Sequence, residues 1–382
     1  MDLAAVRRVT RALDAAGETA RAGAAHAAAP KTVSVWCGTY NVNGKKEQAL
    51  ALSHWLKQGW ASDAPQLFCV SLQEMIDLSP QNVAKASVME GTSGAALRDW
   101  QGLFARAFGY VAAARPGCFG AGGPPRLVGG EHMVGVALLV FARDDGVFPQ
   151  DAQAARIPTG AVGGRLGNKG GVAMSFRLAD SSVCVVGAHL SAHRGDVAGR
   201  NADYHAICER DCFRRGLGAW TRTAEGRHAC RDAFGALDHD VVLFLGDLNY
   251  RIIASVDDEE VFDLVRDGEI DRLAKLDQLN VARAKGDVFE HGFIEAPLTF
   301  APTYKYATGS KFYDFELPEA EQAGRKIRCP AWCDRVLWRV RPTGPRAAGA
   351  PTESATCSSY DRGDERLIVS DHRAARRRRG FF

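Results

Sequence analysis

Long apolar runs are missing from this 382-residue chain. The longest, Val134 to Phe141, is far shorter than the roughly 20 residues that a membrane-spanning helix requires, so no such helix is predicted. A large excess of positive charge is missing too. The net charge is +3, with 48 Lys and Arg against 45 Asp and Glu, which argues against general nucleic-acid binding. An anionic partner would therefore have to meet local clusters of Lys and Arg.

Two motifs that bind phosphate in other enzymes are not found in a usable form. The sequence has no G-x4-G-K-[ST] loop for a nucleotide. The Cys-x5-Arg spacing of a cysteinyl-phosphate enzyme occurs at Cys208/Arg214 and Cys329/Arg335, but neither segment has the glycines that let such a loop fold around an anion. We interpret both matches as chance.

The cysteines raise two alternatives. Structural zinc draws on closely spaced pairs such as Cys208/Cys212 and Cys329/Cys333, yet more than a hundred residues separate these pairs and Pro330 interrupts the second. Other cysteines lie within apolar runs, where a thiol behaves as a small hydrophobe. We expect reduced thiols, with zinc as the lesser alternative. Reduced thiols indicate a cytoplasmic protein, with peripheral membrane contact left open.

The chain divides into three segments by composition. Residues 1–30, rich in Ala and Arg, are predicted to be a flexible, partly helical leader, with a transit peptide as the alternative. Residues 31–375 alternate strand-like and helical patterns without a repeat or a linker, which predicts one α/β domain of two packed sheets. Within it, 115–130 is predicted to be a surface loop and 365–369 the last strand. Residues 376–382 are predicted to be a basic tail, either solvated or in contact with anionic lipid.

Polar side chains follow five of the predicted strands. They are Asn41 and Asn43, Glu74, His189, Asp247 and Asn249, and the pair Asp371 and His372. Strand ends on one edge of a sandwich can converge on a common cleft. The set therefore predicts a site, although each residue alone would be unremarkable.

The residue types favour phosphoryl transfer. Glu74 and Asn43 offer hard oxygen ligands, which suit Mg²⁺ bound by one or two protein groups, water and substrate phosphate. Asp247 is a candidate base for an attacking water, and Asn249 would hydrogen-bond that water or the phosphoryl oxygens. In such a reaction the protein mainly positions groups and neutralises charge.

An imidazole completes this set. His372 beside Asp371 matches a pair in which a carboxylate holds the ring in one tautomer. His372 would stabilise negative charge on the phosphoryl group.

Nine blocks of sequence carry a family resemblance. In chain order they are GTYNVNG at 38–44, QEM at 73–75, GNKGGV at 167–172, HL at 189–190, RNADY at 200–204, GDLNYR at 246–251, PTYKY at 302–306, PAWCDRVL at 330–337 and SDHR at 370–373. This order resembles the inositol polyphosphate 5-phosphatases over about residues 33–373. The stretch 74–78 is most similar to the synaptojanin and type II branch of that family.

The resemblance implies a fold and an activity. The family has a DNase I-like, four-layer α/β/β/α sandwich, with two mixed sheets flanked by helices. It uses Mg²⁺ to hydrolyse the 5-phosphate of inositol rings, either in a phosphoinositide headgroup such as that of phosphatidylinositol 4,5-bisphosphate or in a soluble inositol polyphosphate. The alternatives are a nuclease or sphingomyelinase of the same superfamily and a non-catalytic phosphoinositide-binding module.

The resemblance also assigns roles to residues. Glu74 and Asn43 would hold the metal with Asn41 nearby, and His189 and His372 would contact the scissile phosphate. Further residues fall in segments that resemble the family's substrate-phosphate contacts. They are Asn168, Lys169, Arg200, Asn201, Tyr304, Lys305, Lys326, Arg328 and Arg335. A polyanionic ring needs several such cations, because phosphate contacts are charge-assisted and partly desolvated.

Overall fold

The computed structural model describes ten stretches of the chain. They are residues 33–60, 63–76, 90–145, 148–159, 168–179, 181–214, 233–322, 326–341, 356–363 and 366–381. The leader predicted for residues 1–30 lies outside the described residues.

Strands and helices alternate along the described chain. The strands are β1 (Val33–Asn41), β2 (Leu67–Gln73), β3 (Arg126–His132), β4 (Val136–Ala142), β5 (Gln150–Pro158), β6 (Gly170–Leu178), β7 (Ser181–His189), β8 (Phe213–Arg214), β9 (Ala233–Phe234), β10 (Val241–Asp247), β11 (Asp334–Val340), β12 (Thr356–Arg362) and β13 (Ala375–Phe381). The helices are α1 (Ala49–Lys57), α2 (Glu90–Ala114), α3 (Val197–Cys208), α4 (Asp258–Arg266), α5 (Ile270–Lys275), α6 (Gln278–Lys285) and α7 (Glu319–Gln322). Short 3₁₀ turns cover Ala236–Asp238 and Asp314–Glu316.

Most of the strands form two mixed sheets. The first has the order β12-β13-β1-β2-β4-β3, and the second has the order β11-β10-β7-β6-β5. Each sheet contains one parallel pair, β1 with β2 and β7 with β10, and its other neighbours are antiparallel. The mixed sheets that the resemblance implied are therefore present.

Alternating side chains build the layers. On β1, Val35 enters the core between the two sheets, whereas Trp36 packs outside with α1 and α2. On β10, Leu243 faces the other sheet, while Phe244 packs outside against Tyr204 of α3. This period-2 pattern gives a core between the sheets and a helical layer outside each one. The four-layer α/β/β/α sandwich is confirmed.

The basic tail predicted for residues 376–382 is wrong. Residues Ala375–Phe381 form β13, which lies between β1 and β12 and pairs with β1 from Thr39 opposite Ala375 to Val33 opposite Phe381. Backbone hydrogen bonds hold a strand in a sheet whatever its side-chain charge, so an Arg run can form a strand. The domain accordingly extends to residue 381 rather than ending at 375.

The structure also differs from the sequence prediction in two other segments. The described residues 366–369 form a bend and a turn, so the strand predicted over 365–369 is wrong and the last strand is β13. The surface loop predicted over 115–130 ends early, because β3 begins at Arg126 and pairs with β4. Phe119 within that stretch is buried and packs on Trp60 and Phe108.

The topology places the polar ends of the parallel strands next to each other in each sheet. Asn41 and Gln73 end β1 and β2 in register, and His189 and Asp247 end β7 and β10 in register. The strands of each parallel pair run in the same direction, so their carboxyl ends lie at the same edge of the sheet.

Candidate active site

Asn41 joins the two sheets at these strand ends. Its Nδ2 donates to Asp247 Oδ2 over 2.9 Å and to Glu74 Oε1 over 3.2 Å. Two carboxylates from different sheets therefore lie on either side of one carboxamide. The structure brings these residues together, as the strand-end pattern predicted.

Asn41 was expected near the metal, which stays a prediction, and in the structure its carboxamide has protein partners. Its Oδ1 accepts the backbone N–H of Asn43 over 3.0 Å, so the amide nitrogen faces the carboxylates. An amide nitrogen donates hydrogen bonds, whereas Mg²⁺ takes oxygen ligands. Asn41 thus positions Glu74 and Asp247.

Asn43 and Glu74 lie on facing turns. The N–H of Gly44 donates to the carbonyl oxygen of Glu74 over 2.7 Å, and Asn43 and Glu74 both have positive φ, 49° and 53°. Burial raises the pKa of the Glu74 carboxyl, and the charges of His372 and Lys169 oppose that shift. A bound cation would favour the ionised form of such a carboxyl.

Asp247 is a buried carboxylate at the centre of the cluster. Burial opposes its ionisation, but His372 and other positively charged neighbours outweigh this effect and lower the pKa of Asp247 to about 2. The backbone N–H of Asn249 donates to its Oδ1 over 3.0 Å, and Asn41 donates to Oδ2. Asp247 is therefore ionised, and both of its oxygens are held by hydrogen bonds.

Asn249 has protein partners for both atoms of its carboxamide. Its Nδ2 donates to the Leu190 carbonyl over 3.0 Å, and its Oδ1 accepts from Arg251 over 2.5 Å. Asn249 was predicted to hold water, and the structure adds a role in positioning Arg251.

Arg251 was not predicted as a site residue, although it closes the GDLNYR block. Its guanidinium stacks on Tyr304, 4.3 Å from the ring centroid.

His372 is held by Asp334, not by Asp371 as predicted. Nδ1 of His372 lies 3.0 Å from Asp334 Oδ2, which also accepts from Thr303 Oγ1 over 2.7 Å. No hydrogen bond or ion pair joins the side chains of Asp371 and His372 among the described residues, because neighbours on an extended chain point in opposite directions. Asp334 lies within the PAWCDRVL block, which was the available signal for it.

The charge of His372 is set by two carboxylates. Burial disfavours the imidazolium, but Asp334 and Asp247 overcome it and raise the pKa of His372 to about 9. Nε2 of His372 lies 3.9 Å from Asp247 Oδ2. At neutral pH this site therefore holds an imidazolium beside the ionised Asp247.

His189 differs from His372 in charge. Burial and the nearby Lys169 lower the pKa of His189 well below its usual range, so its ring is neutral. Nε2 lies 2.5 Å from Lys169 Nζ and 3.4 Å from Asp247 Oδ2. Since the ammonium can only donate, His189 Nε2 accepts and the proton is on Nδ1. Next to Lys169, the buried Asn168 Oδ1 has no hydrogen-bond partner among the described residues.

Tyr304 reaches the site, while Lys305 has another partner. The Tyr304 ring lies 4.6 Å from the His372 ring, between centroids. Lys305 Nζ forms an ion pair with the buried Asp314 over 2.8 Å. Lys326 is exposed and Arg328 is half-buried, so a role of either in binding substrate stays a prediction.

Arg200 and Arg335 are wrong as substrate contacts, because both side chains are fully buried. Arg335 donates to Glu295 through Nε and Nη2 and to Asp277 through Nη1, over 2.7, 2.8 and 2.9 Å. Arg200 donates to the His193 carbonyl and to Gln278 Oε1, each over 2.6 Å. These arginines stabilise the fold.

Asn201 contacts a residue of the GDLNYR block. Its Oδ1 accepts from the Tyr250 hydroxyl over 2.7 Å, and its side chain is half-buried. This contact does not test the predicted contact with substrate phosphate.

The oxygen atoms of the site suit a hard cation that takes only a few of its ligands from the protein. Among the described residues no group of three or more His, Cys, Asp or Glu is arranged to hold a metal ion. Glu74 and Asp247 nevertheless place two carboxylates around Asn41, and Mg²⁺ needs only one or two protein carboxylates when substrate phosphate supplies further oxygens. The nine described cysteines are free thiols, which agrees with the expectation of reduced thiols.

Curated relatives resemble the chain over most of its length. It is 32% identical to synaptojanin of Caenorhabditis elegans over 362 residues, which are 91% of this chain and 27% of that protein. It is 34% identical to the type II inositol 1,4,5-trisphosphate 5-phosphatase of Mus musculus over 303 residues, 79% of this chain and 26% of that protein. The chain thus spans about a quarter of the length of these relatives.

A solved structure and a family model also match the chain over most of its length. The inositol polyphosphate 5-phosphatase domain of SPsynaptojanin, in complex with inositol (1,4)-bisphosphate and a calcium ion, superposes with a TM-score of 0.67 and 27% identity, covering 92% of this chain and 84% of that one. The model described as Endonuclease/Exonuclease/phosphatase family 2 matches residues 38–376. The chain therefore belongs to the endonuclease/exonuclease/phosphatase family 2.

Proposed function

We propose that this chain hydrolyses the 5-phosphate of an inositol ring, in a phosphoinositide headgroup or a soluble inositol polyphosphate, with Mg²⁺ as cofactor. The observation that supports this most is the charge pattern around Asp247. An ionised carboxylate lies beside an imidazolium, in a family whose members similar to this chain include a type II inositol 1,4,5-trisphosphate 5-phosphatase. This pattern suits attack of water on a phosphate.

Each protein group has a task in the proposed reaction. Asp247 orients the attacking water and takes its proton, since both of its oxygens are fixed by hydrogen bonds. The His372 imidazolium offsets negative charge that develops on the phosphoryl oxygens, and Asp334 maintains that charge. Lys169 and Arg251 add positive charge near Asp247. The neutral His189 donates no proton from Nε2 and therefore orients Lys169.

Glu74 would hold the metal, with Asn43 on the facing turn as a further oxygen donor. When bound, Mg²⁺ would supply Lewis-acid stabilisation of the phosphate oxygens. The calcium ion of the SPsynaptojanin domain supports a divalent cation in this fold. The free thiols support a reducing, cytoplasmic environment as part of the same proposal.

Phosphate release separates this proposal from its alternatives. The chain would be assayed with Mg²⁺ on phosphatidylinositol 4,5-bisphosphate, the 3,4,5-trisphosphate lipid, soluble inositol 1,4,5-trisphosphate, sphingomyelin and single-stranded DNA. We expect phosphate only from the inositol substrates, with the 4-phosphate retained in the product of the bisphosphate lipid. Shortened DNA or phosphocholine freed from sphingomyelin, with no phosphate from any inositol substrate, would instead favour the phosphodiesterases of the superfamily.

A non-catalytic module makes a different prediction. It would bind the same inositol phosphates without releasing phosphate at any Mg²⁺ concentration. Binding measured by calorimetry, with no turnover by either the original chain or Asp247→Ala, would contradict the proposed hydrolysis.

A further inference from the structure

Ser370 is a fully buried serine two residues before His372. It lies in residues 369–373, which precede β13 and which we call the His372 segment. This segment forms bends and a single bridge, between His372 and Tyr304, rather than a strand. Its position therefore depends on individual hydrogen bonds and not on a continuous sheet ladder.

The hydroxyl of Ser370 joins two parts of the candidate site. Its Oγ donates to the backbone carbonyl of Asn41 over 2.7 Å and accepts the backbone N–H of His372 over 3.1 Å. Asn41 ends β1, and its side chain donates to the carboxylates of Glu74 and Asp247. One hydroxyl thus ties the backbone of His372 to the residue that holds both carboxylates.

Two buried neighbours hold the same segment. The Tyr40 hydroxyl donates to Glu47 Oε1 over 3.2 Å, and both side chains are buried. Glu47 and Tyr40 also have hydrogen bonds with the backbone of Val369 and of Ser370, respectively. The end of β1 and the turn after it therefore hold the His372 segment by its backbone.

The ring and the backbone of His372 are held by different sheets. The ring contacts Asp334 on β11, which belongs to the second sheet. The backbone is tied through Ser370 to β1, which belongs to the first sheet. A displacement of about 1 Å at a catalytic group can lower a rate about a hundredfold, so the tie to β1 matters for catalysis.

We propose that Ser370 is a positioning residue whose hydroxyl fixes His372 relative to Asn41. It thereby sets the distance between the imidazole and the carboxylate of Asp247. This role rests on the proposed function, in which His372 offsets charge on the phosphoryl oxygens. Ser370 acts through His372 and does not itself contact substrate.

Turnover of soluble inositol 1,4,5-trisphosphate with Mg²⁺ is the first test. Ser370→Ala should lower kcat about fiftyfold per folded molecule and leave KM within about threefold, because His372 acts mainly in the transition state. Ser175→Ala is the matched control, since Ser175 is also a buried serine and its Oγ lies 2.7 Å from His239, outside the candidate site. Its kcat should stay within about twofold.

A double change separates positioning from a general loss of stability. In a chain that carries His372→Ala, adding Ser370→Ala should cost less than about threefold further, because the residue that Ser370 positions is absent. The same fiftyfold loss with and without His372 would overturn the positioning role. An unchanged kcat in Ser370→Ala, or an equal loss in Ser175→Ala, would overturn it as well.

An NMR titration of the His372 ring needs no turnover. Its midpoint in the unchanged chain should lie at about 9, and Ser370→Ala should lower it by about one pH unit, because the ring is then held less closely to Asp334 and Asp247. Ser175→Ala should leave the midpoint in place. A midpoint that Ser370→Ala does not move would overturn the positioning role.

The titration also separates this role from the proposed hydrolysis. If no substrate releases phosphate while Ser370→Ala alone lowers the midpoint, the proposed hydrolysis fails and the positioning of His372 stands. Should Ser370→Ala not fold, Tyr40→Phe removes a neighbouring hydroxyl contact of the same segment. It should lower kcat about fivefold and shift the midpoint in the same direction, and no change in either quantity would overturn the role.

Discussion

Asp334 and Arg335 are neighbours on β11, yet they belong to two different clusters of buried charge. Asp334 faces the candidate site and bonds to His372 and Thr303. Arg335 points the opposite way, toward Asp277 and Glu295. Successive side chains on a strand alternate between faces, so one strand serves both clusters.

The two clusters differ in how completely their charges are paired. Around Arg335, two carboxylates accept from one guanidinium, and Tyr360 donates to Glu295 Oε1 over 2.8 Å. Around Asp247, His372 is 3.9 Å away, and the pKa values of Asp247 and His372 are moved in opposite directions. The pKa values of Arg335 and Asp277 are displaced as well, so pairing is what distinguishes the clusters. Nε, Nη1 and Nη2 of Arg335 each have a carboxylate acceptor, whereas Nε2 of His372 lies 3.9 Å from Asp247 and is not hydrogen-bonded to it.

The largest expected effect is on activity in the Asp247 cluster. Asp247→Asn keeps the shape of the side chain but cannot accept a proton, so turnover of an inositol trisphosphate should fall about a thousandfold or more. The change also takes a negative partner from the buried His372 and Lys169, so the rate is compared per folded molecule, with the midpoint of thermal unfolding as the check on folding. Near-normal phosphate release would contradict the role of Asp247.

The next effect is on stability in the Arg335 cluster. Arg335→Leu leaves Asp277 and Glu295 as buried carboxylates without their cation, so the free energy of unfolding should fall by about 3–5 kcal/mol. Turnover per folded molecule should stay within about threefold on all inositol phosphates. Denaturant titration and active-site-normalised rates measure the two quantities. A selective loss on multiply phosphorylated substrates would restore Arg335 as a substrate contact.

A smaller effect is expected on the Mg²⁺ concentration that the reaction needs. Glu74→Gln keeps a hydrogen-bond acceptor for Asn41 but removes the charge, so the Mg²⁺ concentration for half-maximal rate should rise about tenfold to a hundredfold. Saturating Mg²⁺ should restore part of the rate. An unchanged Mg²⁺ titration would show that Glu74 does not hold the cation. Glu131→Gln on β3 serves as a control for a carboxyl away from the cluster.

The fold and the centre of the site were predictable from sequence for a physical reason. Buried strands appear as short apolar runs, and the polar residue that ends each run lies at the sheet edge. Asn41, Glu74, His189 and Asp247 were found this way and lie together. His372 also lies there, although the strand over 365–369 that it was expected to follow is absent from the described residues.

The errors came from properties that a linear pattern does not contain. Asp371 was chosen as the partner of His372 by adjacency, but the pairing of β11 with β10 brings Asp334 opposite Asp247 from a distant part of the chain. Arg200 and Arg335 were chosen as exposed cations, and only tertiary packing shows that they are buried. The Arg run of β13 resembled a solvated tail because strand pairing uses the backbone, which the side-chain pattern does not report.

The pH dependence of Asp334→Asn tests the division between the two clusters most directly. His372 must hold its proton to offset phosphate charge, so the rate of the unchanged chain should fall as the pH rises through about 9. Without the Asp334 charge the pKa of His372 should drop, and this alkaline limb should move toward the ordinary imidazole value of 6.5. Arg335→Leu, changed one residue away, should leave the limb in place. An alkaline limb that stays near 9 in Asp334→Asn, or that moves as far in Arg335→Leu, would contradict this assignment.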